Sequence, residues 1–255
     1  MYIACDTHVH CYQFDKIAEL LDQAVGNFSQ FTPQATHRVL FFTDGNTDKT
    51  WANLQELIAH DGVSQSWTFT FNAVTGFIEA EKSGEIVYLA PARQINSAER
   101  LEFLLLGCDE DLKDGMTAVE IIENNADKYA VISPWGVGKW LGKRGKIMSD
   151  LIANQTGWFL GDNGGRPAAW VGIKQCKQAR QQAMAIFNGS DPLPIDGELK
   201  RVAAYGIHSE VALSEFTVKD LLNCLQKQPS QWKNFGKALG IMPFIKGRIA
   251  MARRA

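Results

Sequence analysis

Met1-Tyr2-Ile3-Ala4-Cys5-Asp6-Thr7-His8-Val9-His10 opens the chain and decides the reading of its fold. The apolar run at residues 2–5 predicts a first strand, and two of the chain's five histidines follow it at a spacing of two. Because alternate side chains of a strand point to the same side, His8 and His10 can meet at one point. The carboxyl end of a barrel strand is where ligands bind, although this spacing alone equally fits two ordinary surface histidines.

Composition places the chain among globular proteins. It has 255 residues, 45% of them hydrophobic and 21% charged, which is ordinary for such a domain. The net charge of −2 weighs against general attraction to nucleic acid, so no nucleic-acid partner is expected. The five cysteines form no C-x-x-C pair, which favours reduced thiols and a cytoplasmic location. We expect neither a signal peptide nor a membrane span.

Strand-like and helix-like segments alternate along the chain. Apolar runs predict strands at residues 2–5, 38–42, 67–71, 76–81, 85–89, 130–132, 158–161 and 185–188. Helical patterns cover residues 15–25, 50–60, 98–106, 118–125 and 216–225. This alternation predicts an α/β fold with a parallel sheet, either open or closed into a barrel.

Polar residues follow several of the predicted strands. They are His8, His10, Asp44, Glu79, Ser133, Asp162, Asn163, Ser190 and Asp191. One such residue means little, because turns favour these types. Since the carboxyl ends of parallel strands share one face, the repetition predicts a ligand site there.

These motifs, in this order, resemble the PHP (polymerase and histidinol phosphatase) family. Residues 6–10 have its D-x-H-x-H opening, and residues 43–47 look like its T-D-H-N-T segment with Gly45 in place of histidine. Residues 76–79 are similar to its third motif, which ends in a metal-binding glutamate, here Glu79. Residues 132–136 resemble H-P-W-G with Ser133 for histidine, and residues 189–193 resemble S-D-x-H with Leu193 for histidine.

The resemblance implies a distorted (β/α)7 TIM-like barrel over residues 1–210. Residues 211–255 would form a helical extension whose basic amphipathic tail packs on the barrel. The family hydrolyses phosphate esters with a metal-activated water. The ligands that remain here, His8, His10, Glu79 and Asp191, suffice for one Zn, Mn or Fe ion. Asp44 or Asp191 would serve as general base.

A second group of residues bears on the substrate. The glycine-rich segment 135–145 and the loops after it carry basic side chains that could ring the mouth of the barrel. They are Lys139, Lys143, Arg144, Arg166 and Arg201. Glycines let the backbone approach an anion, and the cations supply charge, so they predict a small anionic substrate. An ordinary solvated surface loop explains the same residues equally well.

Two other functions remain open. The loss of three histidines allows a catalytically inactive barrel that binds a ligand or acts as an accessory protein. An H-x-H pair with a distant aspartate also suits a mononuclear amidohydrolase-like enzyme that cleaves a C–N bond. Residues 231–255 hold six Lys or Arg and no acid, so the tail either contacts a membrane or protein partner or packs on the barrel.

Overall fold

The computed structural model describes residues 1–46, 48–165 and 172–252. The strands of this part of the chain are β1 (Tyr2–Val9), β2 (His37–Asp44), β3 (Val63–Ser64), β4 (Trp67–Phe71), β5 (Ile78–Lys82), β6 (Glu85–Asn96), β7 (Glu102–Leu106), β8 (Ala130–Pro134), β9 (Trp158–Asp162), β10 (Ile186–Asn188), β11 (Tyr205–Glu210) and β12 (Lys233–Gly236). The helices are α1 (Ile17–Phe31), α2 (Thr50–His60), α3 (Ala118–Asn125), α4 (Gly142–Asn154), α5 (Lys174–Gln181), α6 (Val218–Lys227) and α7 (Ile241–Ala252).

The strands form one mixed sheet with the order β10-β9-β8-β7-β6-β2-β1-β11-β12. The pairs β1–β2, β2–β6, β8–β9 and β9–β10 are parallel, whereas β7 runs antiparallel to both of its neighbours. Strands β3, β4 and β5 form antiparallel hairpins at the side of β6. The carboxyl ends of β1, β2, β6, β8, β9 and β10 therefore face one mouth, and the mixed sheet replaces the parallel sheet that the alternation predicts.

Side-chain hydrogen bonds connect the two end strands of the sheet, β10 and β12, so that the sheet is nearly closed into a barrel. Asn234 of β12 accepts a hydrogen bond from the backbone N–H of Asn188 at 3.0 Å and donates one to the carbonyl of Ile186 at 2.8 Å. The Thr7 hydroxyl donates to the carbonyl of Asn188 at 3.0 Å. These bonds satisfy polar groups at the edge of β10, which pairs with β9 alone among the strands that the structure describes.

Alternation along the strands separates two faces of the sheet. Ile3 and Cys5 of β1 pack in the interior cluster, whereas Ala4 and Val9 pack beneath α1 on the outside. In a regular strand, every odd-numbered residue of β1 would face the interior, as Ile3 and Cys5 do. Val9 instead faces outward, as Ala4 does. The register with β2 shifts between Asp6 and Val9, which accounts for this change of face.

The helix predicted at residues 98–106 is wrong. A turn closes from the Arg100 N–H to the Ser97 carbonyl at 2.8 Å, and Arg100 has a positive φ of 63°. Strand β7 follows, with both of its faces buried. A fully buried strand lacks the alternation that distinguishes strand from helix, and a left-handed residue is incompatible with a continuous helix.

The C-terminal segment is more than the predicted helical extension. Helix α6 packs against the interior cluster through Leu221, Leu222 and Leu225, and β12 then adds to the sheet beside β11. Helix α7 lies over the barrel mouth, where Gly247 approaches Leu193 and Ile195. Within the residues that the structure describes, no helix is long and apolar enough to cross a membrane.

Candidate metal centre

The irregularity in β1 directs two histidines into the barrel mouth. Because Val9 faces outward, His8 and His10 on either side of it face inward, where both are buried. Their Nε2 atoms lie 3.0 Å apart. Asp191 Oδ1 lies 3.6 Å from Nε2 of His8 and 3.9 Å from Nε2 of His10. We call these three side chains the His8–His10–Asp191 centre.

A close approach between the loop after β10 and β1 brings Asp191 to the histidines. A Cβ atom at Gly189 would lie 2.7 Å from the backbone nitrogen of His8 and 2.9 Å from Thr7 Oγ1, so only glycine fits there. The Asp191 N–H donates to the carbonyl of His8 at 2.8 Å. Asp191 has a φ of 43°, a left-handed conformation that aspartate tolerates better than most residues.

Polar groups hold that loop and its carboxylate in place. Asp6 accepts the N–H of Ser190 and that of Ala203, each at 2.8 Å. The Asn163 amide donates to Asp191 Oδ2 at 2.8 Å, which leaves Oδ1 facing the histidines. Arg201 donates to the carbonyls of Asn163 and Ser190 and pairs with a glutamate, so its guanidinium braces the loop. The orientation of Asp191 is therefore fixed by the surrounding chain.

Electrostatics leaves His8 and Asp191 in the states that a metal ion requires, whereas His10 is drawn towards its protonated form. Burial lowers the pKa of His8 to about 4, so its imidazole is neutral at pH 7. Burial acts on His10 in the same direction, but the hydrogen bond that His10 donates to Asp48 and the nearby charge of Asp191 prevail and raise its pKa. Burial would raise the pKa of Asp191, yet His8, His10 and the Asn163 bond together hold it below its usual value. Asp191 is thus ionised at neutral pH.

His10 has a further partner that the sequence motifs do not reveal. Asp48 Oδ2 lies 3.1 Å from His10 Nδ1. A carboxylate on Nδ1 fixes the tautomer with the proton there, so the Nε2 lone pair faces the centre. The polar run 43–48 is the signal that could have indicated Asp48, but nothing in it shows which carboxylate reaches β1.

These residues fit a divalent metal ion. The donor atoms of the centre all lie within 4.8 Å of one another. Zinc ligands lie about 2.0–2.2 Å from the ion, which places donors of a tetrahedral site about 3.3–3.6 Å apart. The separations of 3.0, 3.6 and 3.9 Å bracket that range. Two imidazoles and a carboxylate suit Zn, Mn or Fe.

Two of the predicted site carboxylates bond to other parts of the chain. Asp44 Oδ2 accepts the Trp51 N–H at 2.8 Å and so caps the start of α2. Burial raises the pKa of Asp44. Glu79 is on β5, which runs antiparallel to β6, and its Oε1 accepts a hydrogen bond from the Asn72 amide at 3.0 Å. The structure does not bring Glu79 into the His8–His10–Asp191 centre.

The predicted basic ring separates into residues with different surroundings. Lys139 lies at the mouth, ion-paired with Glu102, and burial lowers its pKa while Asp191 opposes this. Arg201 braces the loop near Asp191. Arg144 donates to the carbonyls of Arg100 and Gly138, and Lys143 is exposed in the first turn of α4. Arg166 lies outside the described residues.

Two polar residues at the mouth went unpredicted because their strands were misread. Gln94 shares the inner face of β6 with Ala90 and Ala92, and its side chain lies near enough to His8 to act on the pKa of that imidazole. The predicted strand stopped at residue 89, and Pro91, a residue type rare in central strands, lies just beyond that end. Glu102 begins β7, whose antiparallel direction brings its first residue, rather than its last, to the mouth.

Two cavities flank the centre. One of about 220 Å³ is lined by Asp191, Lys139 and Glu102, and residues of α7 line it as well. The other, of about 320 Å³, is lined by His10, Tyr12 and the segment 192–196. Leu193 lines both and lies between them. A position where the resemblance leads one to expect a histidine ligand thus forms an apolar partition.

No family model matches the chain, and no curated protein does. Among solved structures, PsfC from Pseudomonas syringae PB-5123 is similar over 100% of this chain and 99% of its own, with a TM-score of 0.63 and 15% identity. The lesion-specific endonuclease PfuEndoQ from Pyrococcus furiosus is similar over 92% of this chain, with a TM-score of 0.51 and 15% identity. The match spans 58% of that endonuclease chain. At this identity the likeness describes the fold.

One prediction is contradicted by these comparisons. An endonuclease Q complex with a 27-mer duplex substrate that carries an abasic lesion is also similar, with 13% identity and a TM-score of 0.46. The fold shared with PfuEndoQ, an endonuclease, contradicts the expectation that nucleic acid is no partner. That expectation rested on the net charge of −2, which describes the whole surface and not the mouth of the barrel.

Proposed function

We propose that this chain is a metal-dependent hydrolase with a PHP-like, distorted (β/α)7 architecture, and that it acts on a small anionic substrate, a phosphoester. The observation that carries the proposal is the His8–His10–Asp191 centre, in which two imidazole nitrogens and a carboxylate oxygen converge in a barrel mouth. Cavities on both sides of the centre leave room for a substrate. The similar structures support the architecture and leave the substrate open.

Each residue of the centre would have a separate role in holding a metal ion. A divalent ion held there would supply Lewis acidity and lower the pKa of a water molecule towards neutrality. His8 and His10 bind through Nε2, and Asp48 holds the proton of His10 on Nδ1. Asn163 holds Oδ2 of Asp191, so that Oδ1 is available as a ligand. Of the two predicted bases, Asp191 is the one at the centre, and we retain it for that role.

Hydrolysis of phosphoesters by defined variants tests this function. The chain is stripped with a chelator, reloaded with Zn²⁺, Mn²⁺ or Fe²⁺, and assayed on a panel of phosphate monoesters and diesters. We expect hydrolysis that depends on added metal and is lost in the His8→Ala/His10→Ala variant. His60→Ala is the matched control, because His60 is exposed at the end of α2.

The outcomes separate the alternatives. Metal binding without hydrolysis of any phosphoester would contradict the proposal and leave a ligand-binding barrel. Equal hydrolysis by the double variant would place the activity elsewhere. A C–N hydrolase gains no support from the geometry, because Lys139 is ion-paired with Glu102 instead of joining the donor atoms.

A further inference from the structure

The smaller cavity beside the metal centre has two kinds of wall. Its floor is polar, with Lys139 and Asn163 next to Asp191. Its roof is apolar and comes from the C-terminal segment, where Leu239, Phe244 and Met251 line it. Phe244 and Met251 are seven residues apart on α7 and therefore share one face of the helix. A ligand in this cavity meets charge on one side and hydrocarbon on the other.

Contacts at both ends of the roof hold it in place. The Leu239 N–H donates to the carbonyl of Gly164 at 2.9 Å, which ties the start of the roof to the loop after β9. A Cβ atom at Gly247 would lie 3.9 Å from Leu193 Cδ1 and 4.0 Å from Ile195 Cδ1, so the helix backbone comes close to the loop after β10. Met242 and Ile249, on the opposite face of α7, are exposed. The helix thus turns one apolar face towards the cavity.

The net charge of the polar wall depends on whether a divalent ion is bound at the His8–His10–Asp191 centre. Among the residues that the structure describes, three carboxylates, those of Glu102, Asp191 and Glu198, line the cavity with two cations, Lys139 and Arg201. The carboxylates exceed the cations by one charge, and a divalent ion at the centre reverses that sign. The side chain of Arg201 is committed to Glu198 and two carbonyls, whereas the Lys139 ammonium has three donors and one ion-pair partner, Glu102. Lys139 is therefore the cation of this cavity that can turn to a ligand.

We propose that this cavity is a substrate subsite that selects oxyanions carrying an apolar substituent, with Lys139 binding the anion and α7 covering the substituent. The inference rests on the proposed metal centre and names the substrate class for it. A volume of about 220 Å³ equals the space of about seven water molecules, which a single aromatic ring with its anionic group fills. Helix α7 then acts as a specificity element.

Binding of two phosphonates tests the subsite without relying on turnover, because their carbon–phosphorus bond is not hydrolysed. Calorimetry on the full chain with Zn²⁺ compares phenylphosphonate with methylphosphonate. We expect phenylphosphonate to bind at least about tenfold more tightly, since its ring is removed from water against the roof. Without Zn²⁺, both affinities fall by at least about tenfold, because the cavity then carries net negative charge.

Substitutions test the apolar wall and the polar wall of the cavity separately. Phe244→Ala reduces the preference for phenylphosphonate several-fold, and Ile249→Ala, exposed on the other face of α7, leaves it unchanged. If the Phe244→Ala variant does not fold, Met251→Ala tests the same apolar wall of the cavity. Lys139→Gln weakens both phosphonates about tenfold and equally, whereas Lys128→Gln, at an exposed position before β8, changes neither.

Equal affinity for the two phosphonates, no binding of either in the presence of Zn²⁺, or an unchanged preference in both roof variants would overturn the inference. Hydrolysis is scored separately. If the phosphonate preference holds while no phosphoester is cleaved, the subsite stands and the proposed hydrolase falls. If phosphoesters are cleaved without regard to their substituent, the hydrolase stands and the subsite falls.

Discussion

At the scale of single residues, a carboxylate from a neighbouring strand end orients His10. Asp48 reaches back from the segment before α2 to Nδ1 of His10, 38 positions earlier in the chain. Carboxylates in this position raise the basicity of a ligating imidazole and fix its ring. Metal affinity should therefore depend on a residue that does not itself touch the metal ion.

The Asp48→Asn variant tests this dependence. We expect its Zn²⁺ affinity to fall about 10- to 100-fold with the fold unchanged, because the amide supports the ring less well than a carboxylate. Competition with a chromophoric chelator measures the affinity. Asp150→Asn, at an exposed position on α4, is the control. Equal affinities in the two variants would show that Asp48 does not support the site.

Gly189 is the second residue on which the centre depends. Gly189→Ala places a Cβ atom 2.6 Å from His8 Cβ and 2.7 Å from its backbone nitrogen, so β1 and the loop must separate. We expect a loss of about 1–3 kcal/mol in the free energy of unfolding, with weaker metal binding, from urea melts and chelator competition.

Gly26→Ala is a matched control for that substitution. Gly26 lies within α1, and a Cβ atom there would meet nothing within 4 Å. This variant should gain about 0.5–1 kcal/mol, because alanine costs less conformational entropy in a helix. If both alanine variants changed stability alike, the close packing at Gly189 would not determine its effect.

At the scale of elements, the N-terminal elements were predictable from sequence and several later ones were not. The alternation of polar and apolar residues over Trp67–Phe71 predicts a strand with the same limits as in the structure, because one face of that strand is buried and the other is exposed. By contrast, β6 contains Pro91, which is unusual in a central strand. Strand β7 is buried on both faces and so lacks the alternation of polar and apolar residues that identifies a strand. His8 and His10 were predicted to point together, yet their inward direction depends on an irregularity in β1 that no sequence period shows.

Helix α3 carries a pH-dependent cap. The Glu120 carboxylate accepts hydrogen bonds from the N–H and the hydroxyl of Thr117, which lower its pKa. A lowered pKa in the folded state means that this stabilisation is present above the unfolded pKa and disappears as pH falls through the folded value. The expected stability difference between the chain and Glu120→Gln is thus seen at pH 7 and shrinks in acid.

Urea melts at a series of pH values from 7 down to the acid limit of the native state measure that difference. Glu123→Gln, at an exposed position of the same helix, is the control and should show no comparable trend. A difference for Glu120→Gln that grew as the pH fell would contradict the cap.

At the scale of the whole molecule, three buried hydrophobic clusters isolate the thiols. All five cysteines are free and buried. Burial raises the pKa of the Cys11 thiol to about 12, and it also raises the pKa of Cys5, Cys108 and Cys224. Since the thiolate is the reactive form, we expect almost no labelling by a disulfide reagent at pH 8 in the native state.

In guanidinium, all five thiols should react at once. Fast labelling of any cysteine in the native chain would show that the interior opens more readily than this packing implies. The sequence alone indicates reduced thiols, but their shared inertness depends on how the strands enclose them.

The measurement that tests the account most directly is the metal content of the purified chain and of three variants. We predict about one equivalent of Zn, Mn or Fe in the native chain, its loss in His8→Ala/His10→Ala, and its loss or marked weakening in Asp191→Asn. Glu79→Gln should keep the metal, because Glu79 bonds to Asn72 away from the centre. A native chain without metal that gains no thermal stability from added Zn²⁺ or Mn²⁺ would contradict the account, as would metal retained by the double histidine variant.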